Sequence, residues 1–293
     1  MQIITLTTDN GYHDYYVAAI KGKLFQAFPA AHVIDISHGI TPFNIREAAF
    51  QLRCCFEEFP AGTIHLIGVD SEPQFEAQKE RYPGILKFKD QYFICNDNGF
   101  FGSFLEEDFP DEFYLYTAIK DQPDAWRFTT KTCFIDLAQR IANKEALSSF
   151  CEVARTYKRA FDQKPAIDQL LIRGIVIHID SFGNLITNIT KADFERFGNE
   201  IPFIIKYQNK EYFIDEISPT YNAVSQGERV AIFNSSGRLE IAINRGANDG
   251  FGGASKLFGM RVNDPVHIEF TPQGSKENIQ SLFWCSRELL NYI

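Results

Sequence analysis

The hydrophobic pattern changes its period partway along the chain, and that change limits the architectures the chain can adopt. Up to about residue 165, short β-branched or aliphatic runs alternate with stretches of helical spacing. Ile3–Thr7, His32–Ile36 and Thr63–Val69 read as strands, and Asp14–Phe28 and Ile45–Phe56 as helices. Ile85–Phe88 and Tyr92–Cys95 read as two strands closing on a Lys89-Asp90 turn. Phe134–Arg159 reads as largely helical. Strands alternating with helices predict an α/β domain over residues 1–165 with a mostly parallel sheet, covered on its faces. Lys164-Pro165 marks the linker.

From residue 168 to 293 strands dominate. The segments are Ile172–Ile179, Ile186–Ile189, Pro202–Tyr207, Glu211–Ile214, Val230–Asn234, Leu239–Ile243, Pro265–Phe270 and Ile279–Phe283. Short turns such as Gln208-Asn-Lys210 predict an antiparallel all-β barrel or sandwich. Lys191–Phe197 reads as a short helical insertion. Phe251–Phe258, with its glycines, reads as a mobile surface loop or a subunit contact.

Composition removes several classes of function. The 293 residues are 45% hydrophobic and 23% charged, which is ordinary for a protein with an ample core. The 28 phenylalanines read mostly as core. A net charge of −9 without a basic run argues against nucleic acid as partner, since phosphate binding needs clustered Lys and Arg. No run approaches the roughly 18–20 apolar residues of a membrane helix. Met1-Gln-Ile-Ile-Thr leads directly into a strand with no charged leader, so a cytoplasmic location is expected. Cys54, Cys55, Cys95, Cys133, Cys151 and Cys285 form no Cys-x-x-Cys. They read as reduced thiols, mostly in the core, and not as a zinc site.

Two segments place chemistry at strand ends. Gly174-Ile-Val-Ile-His-Ile179 leads into Asp180-Ser-Phe-Gly-Asn184. There Asp180 can pair with an ammonium, Phe182 can stack on a flat ring, and Asn184 can offer a donor and an acceptor to a heterocycle edge. A strand followed by a turn that needs Asn and Gly only for its backbone is an equal alternative. Near the N-terminus, Asp9 and Asp14 follow a strand in a Gly-containing turn. Ligands of open α/β sheets bind outside the carboxyl ends of the strands, where a carboxylate can take both hydroxyls of a ribose diol. For either residue alone, a helix cap and nothing more is the favoured reading.

Taken together the motifs resemble the S-adenosylmethionine (SAM) hydroxide adenosyltransferases, SAM hydrolases related to the fluorinase and chlorinase enzymes. Asp9-Asn-Gly-Tyr-His-Asp14-Tyr-Tyr-Val is similar to the family's Asp-Phe-Gly-x-x-Asp-x-Tyr-Val. Ile34-Asp-Ile-Ser-His38-Gly-Ile-Thr-Pro42, Phe59–Asp70 and Asn96-Asp97-Asn98-Gly99 follow in the family's order. His178–Ile189 is a near-complete match, and Asn234-Ser235-Ser-Gly237 through Ala242 fits its C-terminal strand pair. The resemblance implies an α/β domain followed by a β domain, and a homotrimer whose sites lie at subunit interfaces. It implies attack of water or hydroxide on the 5′ carbon of SAM, giving adenosine and L-methionine, with SAM as substrate and neither cofactor nor metal. It places Asp9 on the ribose diol, Asp14 near the amino-acid end and Phe43 on the ribose or adenine pocket. It places Asp180 on the ammonium, Phe182 on a stacking face, Asn184 on the adenine edge and Ser235 on the methionine carboxylate.

The hydrolytic centre departs from the family. Asp70 matches the catalytic Asp, but the Gly-rich loop that leads to the family's Arg is replaced by Ser71–Glu80, longer and without glycine. Arg81 is the candidate for the displaced Arg, with Lys79 behind it. Thr129 stands where the family has His, and a Thr cannot act as a base near neutral pH. His65, on the strand leading to Asp70, reads as a core residue. Three outcomes stay open: a hydrolase working through Asp70, an enzyme with another nucleophile such as halide, and a SAM- or adenosine-binding protein without turnover. Asp70 argues against halide, because a carboxylate repels it in a low-dielectric pocket. A phosphate-dependent nucleoside enzyme is disfavoured by the lack of a G-x-x-x-x-G-K loop.

Overall fold

A two-residue hairpin decides the architecture of the N-terminal half. In the computed structural model, which describes residues 2–160, 164–198, 201–208, 213–246 and 253–271, the chain divides into two units, Met1–Asp162 and Gln163–Ile293. The N-terminal unit holds β1 (Ile3–Thr8), α1 (Tyr16–Ala27), β2 (His32–Ser37), α2 (Ile45–Arg53) and β3 (Ile64–Gly68). These are followed by β4 (Pro83–Phe88), β5 (Gln91–Asn96), α3 (Phe100–Leu105), β6 (Glu112–Leu115), α4 (Ile135–Ala142) and β7 (Glu152–Val153). The sheet order is β2-β1-β3-β5-β4-β6-β7. The pairs β1–β2, β1–β3 and β3–β5 are parallel, whereas β4–β5, β4–β6 and β6–β7 are antiparallel. The sheet is therefore mixed, which corrects the mostly parallel sheet expected from the alternation. Lys89 and Asp90 both take positive φ, 48° and 59°, and turn the chain back within two residues. β4 thus enters the sheet antiparallel, outboard of β5, and β6 and β7 add to its free edge.

The largely helical segment expected over Phe134–Arg159 is also corrected. A π-helical turn, Thr130–Phe134, runs into α4, which ends at Ala142. Lys144 adopts φ 60°, and the Lys144 and Glu145 amides donate to the Ile141 and Arg140 carbonyls. That Schellman closure stops the helix although Lys and Glu favour its continuation. The sheet carries a core on each face. Ile4, Leu6, Leu66 and Ile94 pack beneath α1 and α4. On the other face Phe56 and Phe93 pack with Phe100 and Phe104 of α3 and with the buried side of α2, the ring centroids 4.5–5.8 Å apart along this group. Each such buried ring contributes roughly 1.5–3 kcal/mol.

The C-terminal unit contains β8 (Ala166–Asp168), β9 (Leu171–Ile179), β10 (Leu185–Thr190), α5 (Lys191–Glu195), β11 (Phe203–Tyr207) and β12 (Phe213–Ile214). It continues with β13 (Arg229–Phe233), β14 (Arg238–Ile243), α6 (Gly253–Phe258) and β15 (Pro265–Phe270). The antiparallel order is β12-β11-β15-β9-β10-β14-β13, with β8 on β9, and the end strands β12 and β13 approach each other, so the sheet is a nearly closed barrel. Ile172, Val176, Leu185, Ile205, Ile241 and Val266 fill it. Gly174 lets β9 cross β10 closely, since a Cβ there would lie 2.5 Å from Ile189 Cγ1. Thr190 and Asp193 form a capping box that starts α5. The loop expected over Phe251–Phe258 is helix α6 from Gly253 onward, with Ala254 and Phe258 buried in the barrel core. The strand expected at Ile279–Phe283, and Cys285, lie outside the described residues.

Candidate active site

The carboxyl end of β3 carries the candidate hydrolytic centre. β3 is buried along its length and ends at Gly68, where a Cβ would meet Thr130 Oγ1 at 2.5 Å. Asp70 follows at φ 45°, a strained conformation for a non-glycine residue. Asn98, from the Asn96–Gly99 motif, holds it there. Its Nδ2 donates to the Val69 and Asp70 carbonyls, each at 3.1 Å, and its Oδ1 accepts the Phe100 amide.

Arg81 meets Asp70. Its Nη1 lies 2.6 Å from Asp70 Oδ2, and both side chains are about one-third exposed. The glycine-free insert therefore returns the guanidinium to the aspartate. It does so by pairing with itself, since the Arg81 amide donates to the Gln74 carbonyl and the Gln74 amide to the Arg81 carbonyl. Phe75 anchors the insert on Tyr82 and Trp126, with centroids at 5.6 and 4.8 Å. Lys79 is exposed and pairs loosely with Glu76.

Thr129 is buried, and its hydroxyl donates to the Trp126 carbonyl of its own turn. The neighbouring Thr130 instead donates to Ser71 Oγ at 3.1 Å, beside Asp70. Neither His65 nor His38 reaches Asp70, since each is held elsewhere. His65 is fully buried between Thr5 Oγ1 (2.7 Å) and Gln91 Oε1 (2.6 Å), as its core reading anticipates. His38 is held by Thr8 Oγ1 and Asp35. Burial alone would raise the Asp35 carboxyl, but Lys21 and His38 outweigh it and hold the group below the usual carboxylate range.

At the end of β1, Asp9 Oδ2 accepts the Phe43 amide at 2.9 Å, which ties the two candidate ribose-site residues together. Phe43 has φ 64° and is 73% exposed. The Gly11 amide donates to the His38 carbonyl, closing the loop beneath them. Neither carboxylate caps α1, whose N-cap is Tyr15 without a side-chain bond. Asp14 is exposed, 3.8 Å from His13 Nδ1, and no contact joins it to Asp9.

The C-terminal unit carries the second group. Asp180 Oδ1 accepts the Phe182 and Asn184 amides, both at 2.9 Å, and Oδ2 accepts Asn184 Nδ2 at 3.2 Å. Gly183, at φ 78°, completes the turn. Asn184 is 7% exposed, whereas the Phe182 ring is 67% exposed. The start of α6 lies against this turn. The Ser255 amide donates to the Gly183 carbonyl, and a Cβ on Gly253 would come within 2.1 Å of the Phe182 carbonyl oxygen.

Ser235 sits in the β13–β14 turn, at the opposite end of β14 from Ile241, which pairs with Leu185 just after the Asp180 turn. Asp180 thus lies in the turn before β10 and Ser235 in the turn before β14, the strand that pairs with β10. Between them lies Glu240, 2% exposed, which accepts the Tyr221 hydroxyl at 2.7 Å and Asn234 Nδ2 at 2.9 Å. Burial, Glu240 and then the charge of Asp180 push the Tyr221 hydroxyl up. Sequence reasoning passed over Glu240 and Tyr221. A lone Glu at an inner strand position was their only signal. Asn96, quoted within its motif but given no role, is fully buried with neither amide atom bonded to a described residue.

Among the described residues no cluster of three or more His, Cys, Asp or Glu is placed to hold a metal ion, and no helix is long and apolar enough to cross a membrane.

Comparison with known proteins matches residues 4–151 to the SAM hydroxide adenosyltransferase N-terminal domain and residues 174–267 to the C-terminal domain of the same family. The chain is similar to an (R)-S-adenosyl-L-methionine hydrolase from Methanocaldococcus jannaschii, 28% identical over 285 residues, covering 92% of this chain and 96% of that one. It is also similar to an (R)-S-adenosyl-L-methionine hydrolase from Thermus thermophilus, 25% identical, covering 92% and 100%. A crystal structure of an uncharacterised conserved protein from Thermotoga maritima superposes with a TM-score of 0.77 at 25% identity, covering 92% of this chain and 99% of that one. With both domain models matched in order over most of its length, the chain belongs to the SAM hydroxide adenosyltransferase family.

Proposed function

We propose that the chain is a SAM hydrolase that adds water to the 5′ carbon of SAM and releases adenosine and L-methionine. In this reaction the oxygen–C5′ bond forms as the C5′–sulfur bond breaks, and its electron pair stays on sulfur. A neutral thioether leaves, so no general acid is needed. What the protein must supply is an oriented water, an acceptor for its proton and a dry, shaped site. The observation that carries the reading is the 2.6 Å pair of Arg81 with Asp70 at the end of β3. Arg81 fixes Asp70 through Oδ2, which leaves Oδ1 to align the water and take its proton.

Asp9 binds the ribose diol with Phe43 beside it, and Asp14 faces the amino-acid end. On the C-terminal unit, Asn184 reads adenine, Phe182 stacks on it, Asp180 meets the ammonium and Ser235 the carboxylate. The two groups complete one site through neighbouring subunits of a homotrimer. The exposed Phe43, Tyr12 and Phe182 rings support that reading, since large exposed apolar groups mark interaction surfaces. A cytoplasmic location fits the free thiols of Cys95, Cys133 and Cys151.

A binding protein without turnover is the second reading, and the Thr129 hydroxyl, turned to Trp126 where the family has His, favours it. A halogenating reaction is the weaker alternative, because Asp70 would face the halide. Incubation of the purified protein with SAM, with and without halide, separates the three by chromatography. Adenosine that disappears in Asp70→Asn supports the hydrolase. Binding without product makes it a ligand-binding descendant, and a 5′-halo-adenosine overturns both.

A further inference from the structure

We propose that Lys158 and Asp97 form a positioning pair for Arg81, the device by which this chain presents a guanidinium to Asp70 from a glycine-free insert. The inference deepens the hydrolase reading and rests on it for its kinetic test.

Three consecutive carbonyls around Arg81 are each held by a different segment. The Glu80 carbonyl accepts Lys158 Nζ. The Arg81 carbonyl accepts the Gln74 amide at 3.0 Å, and the Tyr82 carbonyl accepts the Asp97 amide at 2.9 Å. Asp97 joins the outer two, because its Oδ1 accepts the Lys158 backbone amide at 2.8 Å. Lys158 lies 77 residues after Arg81 in sequence, beyond β7, and nothing local dictates that it reach Glu80.

The electrostatics are consistent with a built arrangement. Asp97 is 6% exposed, and its burial pushes the carboxyl up against the opposing effect of Lys158. Burial likewise pushes the Lys158 ammonium down, with Asp97 opposing and the Arg81 charge adding to the shift. The ammonium of Lys158 thus feels both Asp97 and Arg81, and Arg81 in turn pairs with Asp70. Ordering a lysine side chain costs about 1.5–2 kcal/mol of rotamer freedom, so its bond to one carbonyl of an exposed insert is a poor device for stability alone. It is a good device for fixing the backbone from which Arg81 projects, because a displacement of about 1 Å at a reacting centre can lower a rate roughly a hundredfold.

The test is a double-mutant cycle on the full-length protein, with adenosine release from SAM as readout. Lys158→Met is expected to lower kcat about tenfold with KM for SAM within about twofold, and to add nothing further in an Arg81→Met background. Lys158→Arg should restore most of the rate. Independent multiplicative effects, or a KM that moves with kcat, would overturn the proposal. A second measurement needs no turnover. Hydrogen exchange at the Gln74 and Arg81 amides should quicken about tenfold in Lys158→Met while the β1 and β9 amides stay as in the parent. Unchanged protection at Gln74 and Arg81 overturns the positioning role, whereas loss of protection in a protein that releases no adenosine overturns the hydrolase reading and leaves the pair standing.

Discussion

The two groups of candidate site residues are built in opposite ways. The Asp180–Asn184 turn supports itself, since one carboxylate takes two amides and a carboxamide within five residues. The Asp70–Arg81 centre is assembled from the end of β3, an insert closed by Gln74, the Asn98 clamp and Lys158. A self-contained turn survives only if its own few residues are kept. An assembled centre can be rebuilt, because what matters is where the guanidinium arrives and not which loop brings it. This chain keeps the first and rebuilds the second.

The largest expected effect tests the rebuilt centre. Asp70→Asn should lower adenosine release by about 10²–10⁴-fold, the usual contribution of a positioned proton acceptor, with little loss of SAM binding. Turnover that persists in this variant would remove Asp70 from the chemistry and leave the Arg81 pair as a structural salt bridge. Next in size is Asp9→Ala, which should weaken every adenosine-containing ligand by roughly 2–4 kcal/mol through loss of charge-assisted bonds to a diol. Calorimetry against adenosine and SAM reads it, and unchanged affinity for both would show that Asp9 serves only the Phe43 amide.

The self-contained turn allows a finer cut. Asp180→Asn keeps an oxygen for the Phe182 and Asn184 amides, and it removes the charge together with the acceptor of Asn184 Nδ2. SAM affinity should fall by roughly 2–3 kcal/mol and adenosine affinity by less, because only SAM has the ammonium. Asp180→Ala should lose both ligands as the turn opens. Equal loss for both ligands in the Asn variant would mean that the Asp180 charge is structural.

The same contrast explains what the sequence made legible. The strands and turns that depend on nearest neighbours were readable, among them the Lys89-Asp90 hairpin, the Thr190 start of α5 and the Asp180 turn. The place where the hairpin inserts into the sheet was not, because strand order is set by pairing across the fold. The Lys144 stop was missed because it depends on a left-handed residue that Lys rarely supplies. Helix α6 was missed because glycines masked a segment whose Gly253 is required by close approach to Phe182. Arg81 could be named as a substitute because it falls just before a strand. That it reaches Asp70, and that Thr130 and not Thr129 faces Ser71, followed only from the path of the insert and the π-helical turn.

The smallest effect concerns acid, and it should reach the assembled centre through the strand that carries it. Gln91 Nε2 donates to the Phe56 and Phe59 carbonyls, so its Oε1 faces His65 Nε2 as an acceptor. His65 is therefore neutral with its proton on Nε2, and Nδ1 accepts the Thr5 hydroxyl. Burial pushes its pKa down to about 4, against the Gln91 bond. Between pH about 6.5 and about 4 the unfolded chain binds the proton that the folded chain refuses, so stability is full above that window and falls as pH falls through it. At pH 5 the loss should be about 2 kcal/mol. Urea unfolding followed by tryptophan fluorescence, at pH 7.5 and pH 5, would show the decline, and His65→Gln should flatten it. A variant that keeps the full pH dependence would mean that another group, and not the histidine of β3, makes this half of the molecule sensitive to acid.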